Sequence, residues 1–536
     1  MAISSLLSSQ KIPYLWLTMS LKYLHKLSLL SPKCAPLAAL FVAVFGFALS
    51  LAVSASASPE GPKNVIVMIN DGAGWGTWDA TAYWQYGSRE ALPYADFLHY
   101  GMTTYPLNTS RVPTRDPASL VGYDPDQAWD TTPIDNEVLP FVGYRYLATN
   151  PTDSAAAGTA LSSGVKTYWT AVNTDNYGQP LVFSALVAKR TGRAAGVVTS
   201  VPFPHATPAA FAAQSLSRSN YRQIAHQMLT EGHLDVIMGT AGARGYDING
   251  QPYKPMTTHE WAAVRKESLH YVVEDADWEL LEAGNYLAQG ETHPWQLIRD
   301  KSAFDALAEG SLAPVGPLIG VPNVATTLQF SRNAAVVGED SSNPSGVAYI
   351  ESVPTLATMT TGALKHLARR SDVGFFLMIE GGATDWAAHT SAQPAPEYGR
   401  LIEETLDFNN AIQAVIDWVE ANSSWDETLL IITTDHGNGA PFGPDAQTVP
   451  FQPVTNNGKG VMPGISFRKT GHHTNALVPL WIKGAGSEQF ARRVRGVDPG
   501  YAKHVRWNDG SYVDNTDVAK VTMAVMEGRE VEPFAE

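Results

Sequence analysis

Residues 375–389 read Phe-Phe-Leu-Met-Ile-Glu-Gly-Gly-Ala-Thr-Asp-Trp-Ala-Ala-His. The unbroken apolar run Phe375–Ile379 predicts a strand covered on both faces, as in a parallel sheet. It ends on Glu380, and Gly381-Gly382 permits a sharp turn. If the segment after Gly382 is helical, Asp385 and His389 project from one face and can grip a single divalent ion. Glu380, at the strand's end, could then reach a second. An Asp and a His at this spacing also serve on a solvated helix face, so partners elsewhere in the chain must decide.

The same design recurs outward in both directions. Val65–Ile69 is a short β-branched run that ends on Asn70-Asp71-Gly72, and Leu429–Thr434 runs into Asp435-His436-Gly437. Further strands are expected at Ala194–Ser200, Leu234–Met238 and Ala476–Ile482, the last preceded by His472-His473-Thr474. Helical patterns alternate with them, near Thr77, after Pro151 and over about Tyr398–Ala421, which makes the fold class α/β with a mostly parallel sheet. Ligands of such sheets bind beyond the carboxyl ends of the strands. Asp71, Glu380 and Asp435-His436 all stand there, and they come from both ends of the chain, which favours one large domain. For Asp71 alone, capping of the following helix is the competing reading.

Pro151-Thr-Asp-Ser154-Ala-Ala-Ala-Gly carries a front proline, capping residues and alanines, so Ser154 falls in the first turn of a helix. A serine there is ordinarily a cap, yet its hydroxyl also sits where free N–H groups and the helix dipole favour an anion. No Gly-x-Ser-x-Gly elbow surrounds it. His205-Ala-Thr207-Pro and Ser217-Arg218-Ser-Asn-Tyr221 follow the second strand. Residues 240–350 show no obvious ligands and read as a variable elaboration.

The chain has 536 residues, 44% hydrophobic and 17% charged, within the globular range. Residues 35–53 form an uncharged apolar run, preceded by Lys22, Lys26 and Lys33 and followed by Ala55-Ser56-Ala57. This pattern predicts a secretory signal peptide over residues 1–57, an uncleaved membrane anchor being the alternative, and residues 58–536 as one domain exported to a periplasm or the medium. The single cysteine, Cys34, lies in that leader, so residues 58–536 hold neither a disulfide nor a cysteine metal site. Removing the leader's four lysines leaves 33 basic against 52 acidic residues, a net charge of −19. Such a surface argues against nucleic acid as a partner. Phosphate-like anions would need local positive charge, which bound metal can provide.

Together these motifs resemble the alkaline phosphatase family of metal-dependent phosphomonoesterases. The resemblance rests on Asp71-Gly-Ala-Gly, Thr152-Asp-Ser154-Ala-Ala, His205-Ala-Thr207-Pro, Arg218, Glu380 with Asp385 and His389, Asp435-His436-Gly, and His473-Thr, in family order. It implies a three-layer α/β/α sandwich around a large, mostly parallel sheet, and cofactors of two zinc ions and one magnesium. Asp385, His389 and His473 would hold the first zinc; Asp71, Asp435 and His436 the second; and Asp71, Thr207 and Glu380 the magnesium. Ser154 would be the nucleophile that forms a phosphoserine, and Arg218 the clamp on phosphate, steadied by Asp153. The implied substrates are small phosphate monoesters, and a homodimer is common in the family. Monoester hydrolysis is slow enough that one general base, worth roughly 10² to 10⁴, falls far short, whereas paired ions can stabilise entering and leaving oxygens together.

Two positions depart from some relatives. His205 stands where certain members carry an acid and Trp386 where they carry a lysine, which bears on the third ion. His473 is preferred over His472 as ligand because the family places its histidine directly before Thr. A phosphodiesterase of the same superfamily and a noncatalytic metal-binding scaffold are the competing readings; Ser154, Glu380 and Arg218 together favour monoester hydrolysis.

Overall fold

The computed structural model describes residues 61–241, 273–324, 326–390, 396–467 and 472–535. The expected leader with Cys34, and residues 242–272 of the expected elaboration, lie outside them. All described residues belong to one compact unit, Gly61–Glu536.

Fifteen strands are described: β1 Asn64–Ile69, β2 Leu98–Thr103, β3 Ala194–Pro202, β4 Val236–Thr240, β5 Gln296–Ile298, β6 Leu318–Gly320, β7 Phe375–Glu380, β8 Thr428–Thr433, β9 Gly437–Asn438, β10 Pro441–Phe442, β11 Ser466–Phe467, β12 His473–Thr474, β13 Val478–Gly484, β14 Gly496–Val497 and β15 Ser511–Asp514. The helices that matter below are α1 Trp75–Tyr86, α2 Ser154–Ser163, α3 Ala206–Ala210, α4 Tyr221–Thr230, α5 Leu356–Arg370, α6 Ala383–Thr390, α7 Pro396–Asn422 and α8 Thr516–Met526.

Eleven strands form one sheet in the order β14-β15-β2-β13-β8-β1-β7-β3-β4-β6-β5. From β8 to β5 every neighbour is parallel, and β13 runs antiparallel between β2 and β8. The apolar runs explain the placement. In β1, Val65, Val67 and Ile69 face one core with Phe376 and Met378, while Ile66 and Met68 face the other with Leu377 and Ile379. Each such buried side chain contributes about 1.5–3 kcal/mol, so a strand apolar on both sides is stable only between two helical layers. Residues of α2, α3 and α8 cover the first face, and residues of α1, α5 and α7 the second. The result is the expected three-layer α/β/α architecture.

Register levels the strand ends. Ile69 pairs with Glu380 on one side and with Thr433 on the other, and Thr199 of β3 pairs with Glu380. The residues just past β1, β7 and β8 are therefore neighbours. A small antiparallel ladder sets His473 opposite Asn438 and Thr474 opposite Gly437, which folds the segment before β13 back over the end of β8.

Three features differ from the sequence reading. The third expected strand begins two residues later, at Val236, because Leu234 and Asp235 precede the ladder. Residues 240–350 supply β5 and β6, which extend the parallel edge of the sheet. They are only three residues long, too short to show a period. The C-terminal strands β14 and β15 and the mixed-polarity β2 also escape the pattern search.

Candidate active site

The turn after β1 carries Asp71 into the sheet's carboxyl edge. Gly72 has φ 73°, a conformation that favours glycine, and its N–H donates to Oδ1 of Asp435 at 3.1 Å. Asp71 caps nothing: α1 starts at Trp75, with Gly74 as its cap residue and no side-chain cap. Instead Asp71, Asp435 and His436 bring ligand atoms within 4.8 Å of one another. Nε2 of His436 lies 3.2 Å from Oδ2 of Asp435 and 3.6 Å from Oδ1 of Asp71.

A second cluster joins α6 to β12: Asp385, His436 and His473 bring ligand atoms within 4.8 Å of one another, and the more exposed His389 flanks them. Nε2 of His389 is 3.3 Å from Oδ2 of Asp385, and Nε2 of His473 is 3.5 Å from its Oδ1. The two imidazole nitrogens are 3.3 Å apart. Nδ1 of His473 sits 2.8 Å from the Thr152 carbonyl, which can only accept, so this nitrogen donates and the Nε2 lone pair faces Asp385. His472 is exposed. In the third cluster Asp71, His205 and Glu380 come within 4.8 Å, and the Thr207 hydroxyl donates to Oδ2 of Asp71 at 3.3 Å.

Ser154 is the first residue of α2, and the cap is its neighbour. Asp153 accepts from the N–H groups of Ala155 and Ala156 at 3.2 and 3.1 Å, and from that of Thr170 at 3.0 Å. Relieved of capping, the Ser154 hydroxyl lies 3.2 Å from Nε2 of His436 at a positive helix end. Arg218 donates through Nη1 to Oδ2 of Asp153, and its Nη2 lies 3.2 Å from Nε2 of His205. Trp386 packs edge-on against His205, the ring centroids 5.8 Å apart.

The electrostatics favour bound cations. Asp71, Glu380 and Asp435 are fully buried and Asp385 is 6% exposed, while the nearby guanidinium of Arg218 is already paired with Asp153. Burial, reinforced by the charge of Asp435, pushes Asp71 well above the usual carboxylate range. Burial pushes Glu380 up to about 8 against the hydrogen bond from Thr199, and burial with the charge of Asp385 pushes Asp435 up to about 7. For Asp385 burial acts the same way but is outweighed by His389 and His473, which hold its carboxyl well below the usual range. Burial lowers His436 and His473, and burial with Arg218 holds His205 down at about 3. Oδ1 of Asp71, Oε1 of Glu380 and Oδ2 of Asp435 are buried without a hydrogen-bond partner. Buried anionic oxygens in that condition are costly unless an ion meets them. The donor set is carboxylate, imidazole and hydroxyl without sulfur; it suits zinc where histidines enter and magnesium where oxygens dominate.

The candidate site residues read from the sequence are therefore linked by contacts into one contiguous set of side chains. Sequence reasoning missed Asn438 and Thr199. The Asn438 amide donates to Oδ1 of Asp385 at 2.7 Å, and the Thr199 hydroxyl donates to Oε2 of Glu380. Thr199 had a signal, since it ends the apolar run of β3, whereas the role of Asn438 depends on a pairing distant in sequence.

Residues 97–462 match the sequence profile of the alkaline phosphatase family. The chain belongs to that family. The matched span contains Ser154, Arg218, Glu380, Asp385, His389, Asp435 and His436, with Asp71 and His473 just outside it. Alkaline phosphatase 3 of Bacillus subtilis is 27% identical over 386 residues, 70% of this chain and 61% of that protein, so the chain matches about three fifths of the relative's length. Among solved structures, alkaline phosphatase from the Antarctic bacterium TAB5 shares the fold at a TM-score of 0.53 and 21% identity, over 88% of this chain and all of that one. A histidine-to-aspartate variant of the TAB5 family member, with Mg bound in its M3 site, aligns at a TM-score of 0.52 and 21% identity over 87% of this chain and 98% of that one.

Proposed function

We propose that the chain is an alkaline phosphatase that hydrolyses small phosphate monoesters through a phosphoserine on Ser154. The observation that carries this is the approach of the Ser154 hydroxyl to Nε2 of His436, 3.2 Å away, at a helix end whose cap, Asp153, also anchors Arg218. A scaffold that only bound metal would need neither the placed hydroxyl nor the guanidinium. In this reading Asp385, His389 and His473 hold one zinc, Asp71, Asp435 and His436 the other, and Asp71, Thr207 and Glu380 a magnesium. The oxygen donors of Asp71, Thr207 and Glu380, with the Thr207 hydroxyl 3.3 Å from Asp71, support that third assignment. When bound, the ions supply positive charge to the oxygens that enter and leave phosphorus.

The remaining work belongs to the chain. Arg218 presents a planar fork to two nonbridging oxygens, which a point-charge lysine could not match. Asp153 and His205 fix that fork from two sides. The N–H groups of Ala155 and Ala156 are taken up by Asp153, so α2 contributes its positive end to the same anion and not a set of free donors. Ser154 gives its proton to solvent and its oxygen bonds to phosphorus as the P–O bond to the alcohol breaks; the alcohol leaves with a proton from solvent. Water then attacks from the vacated side, the Ser154–phosphorus bond breaks, and inorganic phosphate departs with the hydroxyl restored. Export to a periplasm or the medium is part of this reading and rests on residues 1–57. Among the described residues no helix is long and apolar enough to cross a membrane.

The deciding experiment compares p-nitrophenyl phosphate, bis-p-nitrophenyl phosphate and p-nitrophenyl sulfate at alkaline pH, with and without chelator, alongside metal analysis. Monoester turnover that chelator abolishes is expected. Diester turnover equal to or above it would replace the reading with a phosphodiesterase, and metal-loaded but inert protein would favour the scaffold.

A further inference from the structure

The orientation of Arg218 depends on more than Asp153. Its Nη2 lies 3.2 Å from Nε2 of His205, and since a guanidinium only donates, the imidazole accepts. An acceptor steers a donor only as well as its own ring is held. His205 precedes α3, makes no cap hydrogen bond there, and faces Asp71 and Glu380 on one side. Two aromatic rings bound it. Trp386 meets it edge-on, and Tyr221 lies nearly parallel to it, centroids 6.2 Å apart and planes 10° apart. Both geometries are favourable for aromatic pairs.

Tyr221 is tied to Arg218 through the backbone as well. The turn Ser217–Asn220 closes with the Asn220 N–H donating to the Ser217 carbonyl at 3.1 Å, and Tyr221 opens α4 immediately after. That helix is anchored by Ile224, Ala225, Met228 and Leu229 in the core. The backbone N–H of Arg218 in turn donates to the Thr170 carbonyl at 2.7 Å. One short segment thus delivers both the guanidinium and the ring that braces its acceptor.

We infer that Tyr221 is a positioning residue for phosphate binding: its ring braces His205, and His205 in turn orients the Arg218 guanidinium. The inference rests on the proposed function in that Arg218 meets phosphate. The charge on Arg218 also feels the Tyr221 hydroxyl directly, so Tyr221→Phe separates the two paths, and the inferred one runs from the ring through His205.

The test uses the full exported chain, supplied with excess zinc and magnesium, as wild type, Tyr221→Phe, Tyr221→Leu, His205→Ala and the Tyr221→Leu/His205→Ala double variant. Tyr221→Met runs in parallel, so that a folding defect in one variant leaves the comparison intact. The readouts are Kd for inorganic phosphate by calorimetry, KM and kcat for p-nitrophenyl phosphate, bound metal and Tm. Loss of the ring should raise the phosphate Kd about three- to tenfold, the range expected of one aromatic pair, with metal content unchanged. Tyr221→Phe should restore wild-type affinity, and Tyr221→Leu should add nothing once His205 is gone. An unchanged Kd in Tyr221→Leu, equal damage in Tyr221→Phe, or an undiminished effect in the His205→Ala background would each overturn the inference. Wild type that binds phosphate and obeys the cycle but turns over no monoester would sink the proposed function alone. Wild type that binds no phosphate would sink both.

Discussion

The Asn438 side-chain amide donates a 2.7 Å hydrogen bond to Oδ1 of Asp385, and both groups are buried. Asn438 sits in β9 opposite His473, so it ties the loop after β8 to helix α6 and fixes the carboxylate between His389 and His473. Partners of this kind usually govern ligand affinity as strongly as the ligands' own geometry. Asn438→Leu should weaken zinc binding about 10- to 100-fold, measured by competition with a chelator of known affinity. Wild-type zinc affinity in that variant would show that Asp385 is oriented without the amide.

In the proposed mechanism Ser154 carries the covalent step, and it takes none of the capping, which falls to Asp153. Ser154→Ala should therefore leave Tm and bound metal close to wild type while monoester turnover falls on the order of 10³-fold or more. Acid quench of wild type during turnover should trap phosphate on the protein, and the variant should trap none. Activity surviving in Ser154→Ala with metal still bound would exclude the phosphoserine route.

The site was legible because its parts sit on long, doubly buried strands. Asp71, Glu380 and Asp435 each end an apolar run, and parallel register makes the ends of such runs coincide. The strands that escaped lacked that signal. β5 and β6 are three residues long, and β2 mixes exposed Leu98 with buried Met102. Asn438 escaped for another reason: its role depends on the β9–β12 ladder, a pairing between segments 35 residues apart that no local period announces. Tyr221 likewise gains meaning only once α4 and α6 bring two rings to His205.

Burial raises three site carboxylates above their ordinary range, Glu380 to about 8 and Asp435 to about 7, with Asp71 raised as well. In the unfolded chain these groups lose their protons near pH 4. Folding of chelator-stripped protein therefore takes up protons between those limits. The associated stability is complete below about pH 4 and is lost as pH rises through 7 to 8. Burial lowers His205, His436 and His473, whose opposing contribution is complete by about pH 7, so stripped protein should melt lower at pH 9 than at pH 7, read by calorimetry. Zinc and magnesium should remove most of that difference by keeping the carboxylates ionised as ligands. Identical melting at the two pH values without metal would mean that the carboxylates are not strained by burial.

Two glycines of the Asp71-Gly-Ala-Gly turn should respond in opposite ways to the same substitution. A Cβ on Gly72, at φ 73°, would lie 2.7 Å from Oδ1 and 2.9 Å from Cα of Asp385, so α6 or the turn must move. The left-handed backbone adds about 1–2 kcal/mol of its own. A Cβ on Gly74 would meet nothing nearer than Cα of Gly437 at 3.6 Å, an ordinary contact, and its φ of −64° suits any residue. Gly72→Ala should displace Asp385 from His389 and His473 and cost on the order of 10²-fold in turnover, as misplacement by an ångström does. Gly74→Ala should stay within a few-fold of wild type. Paired kinetics and zinc titrations on the two variants check this, and equal losses in both would mean that the turn is sensitive throughout, with no special part for the approach of Gly72 to Asp385.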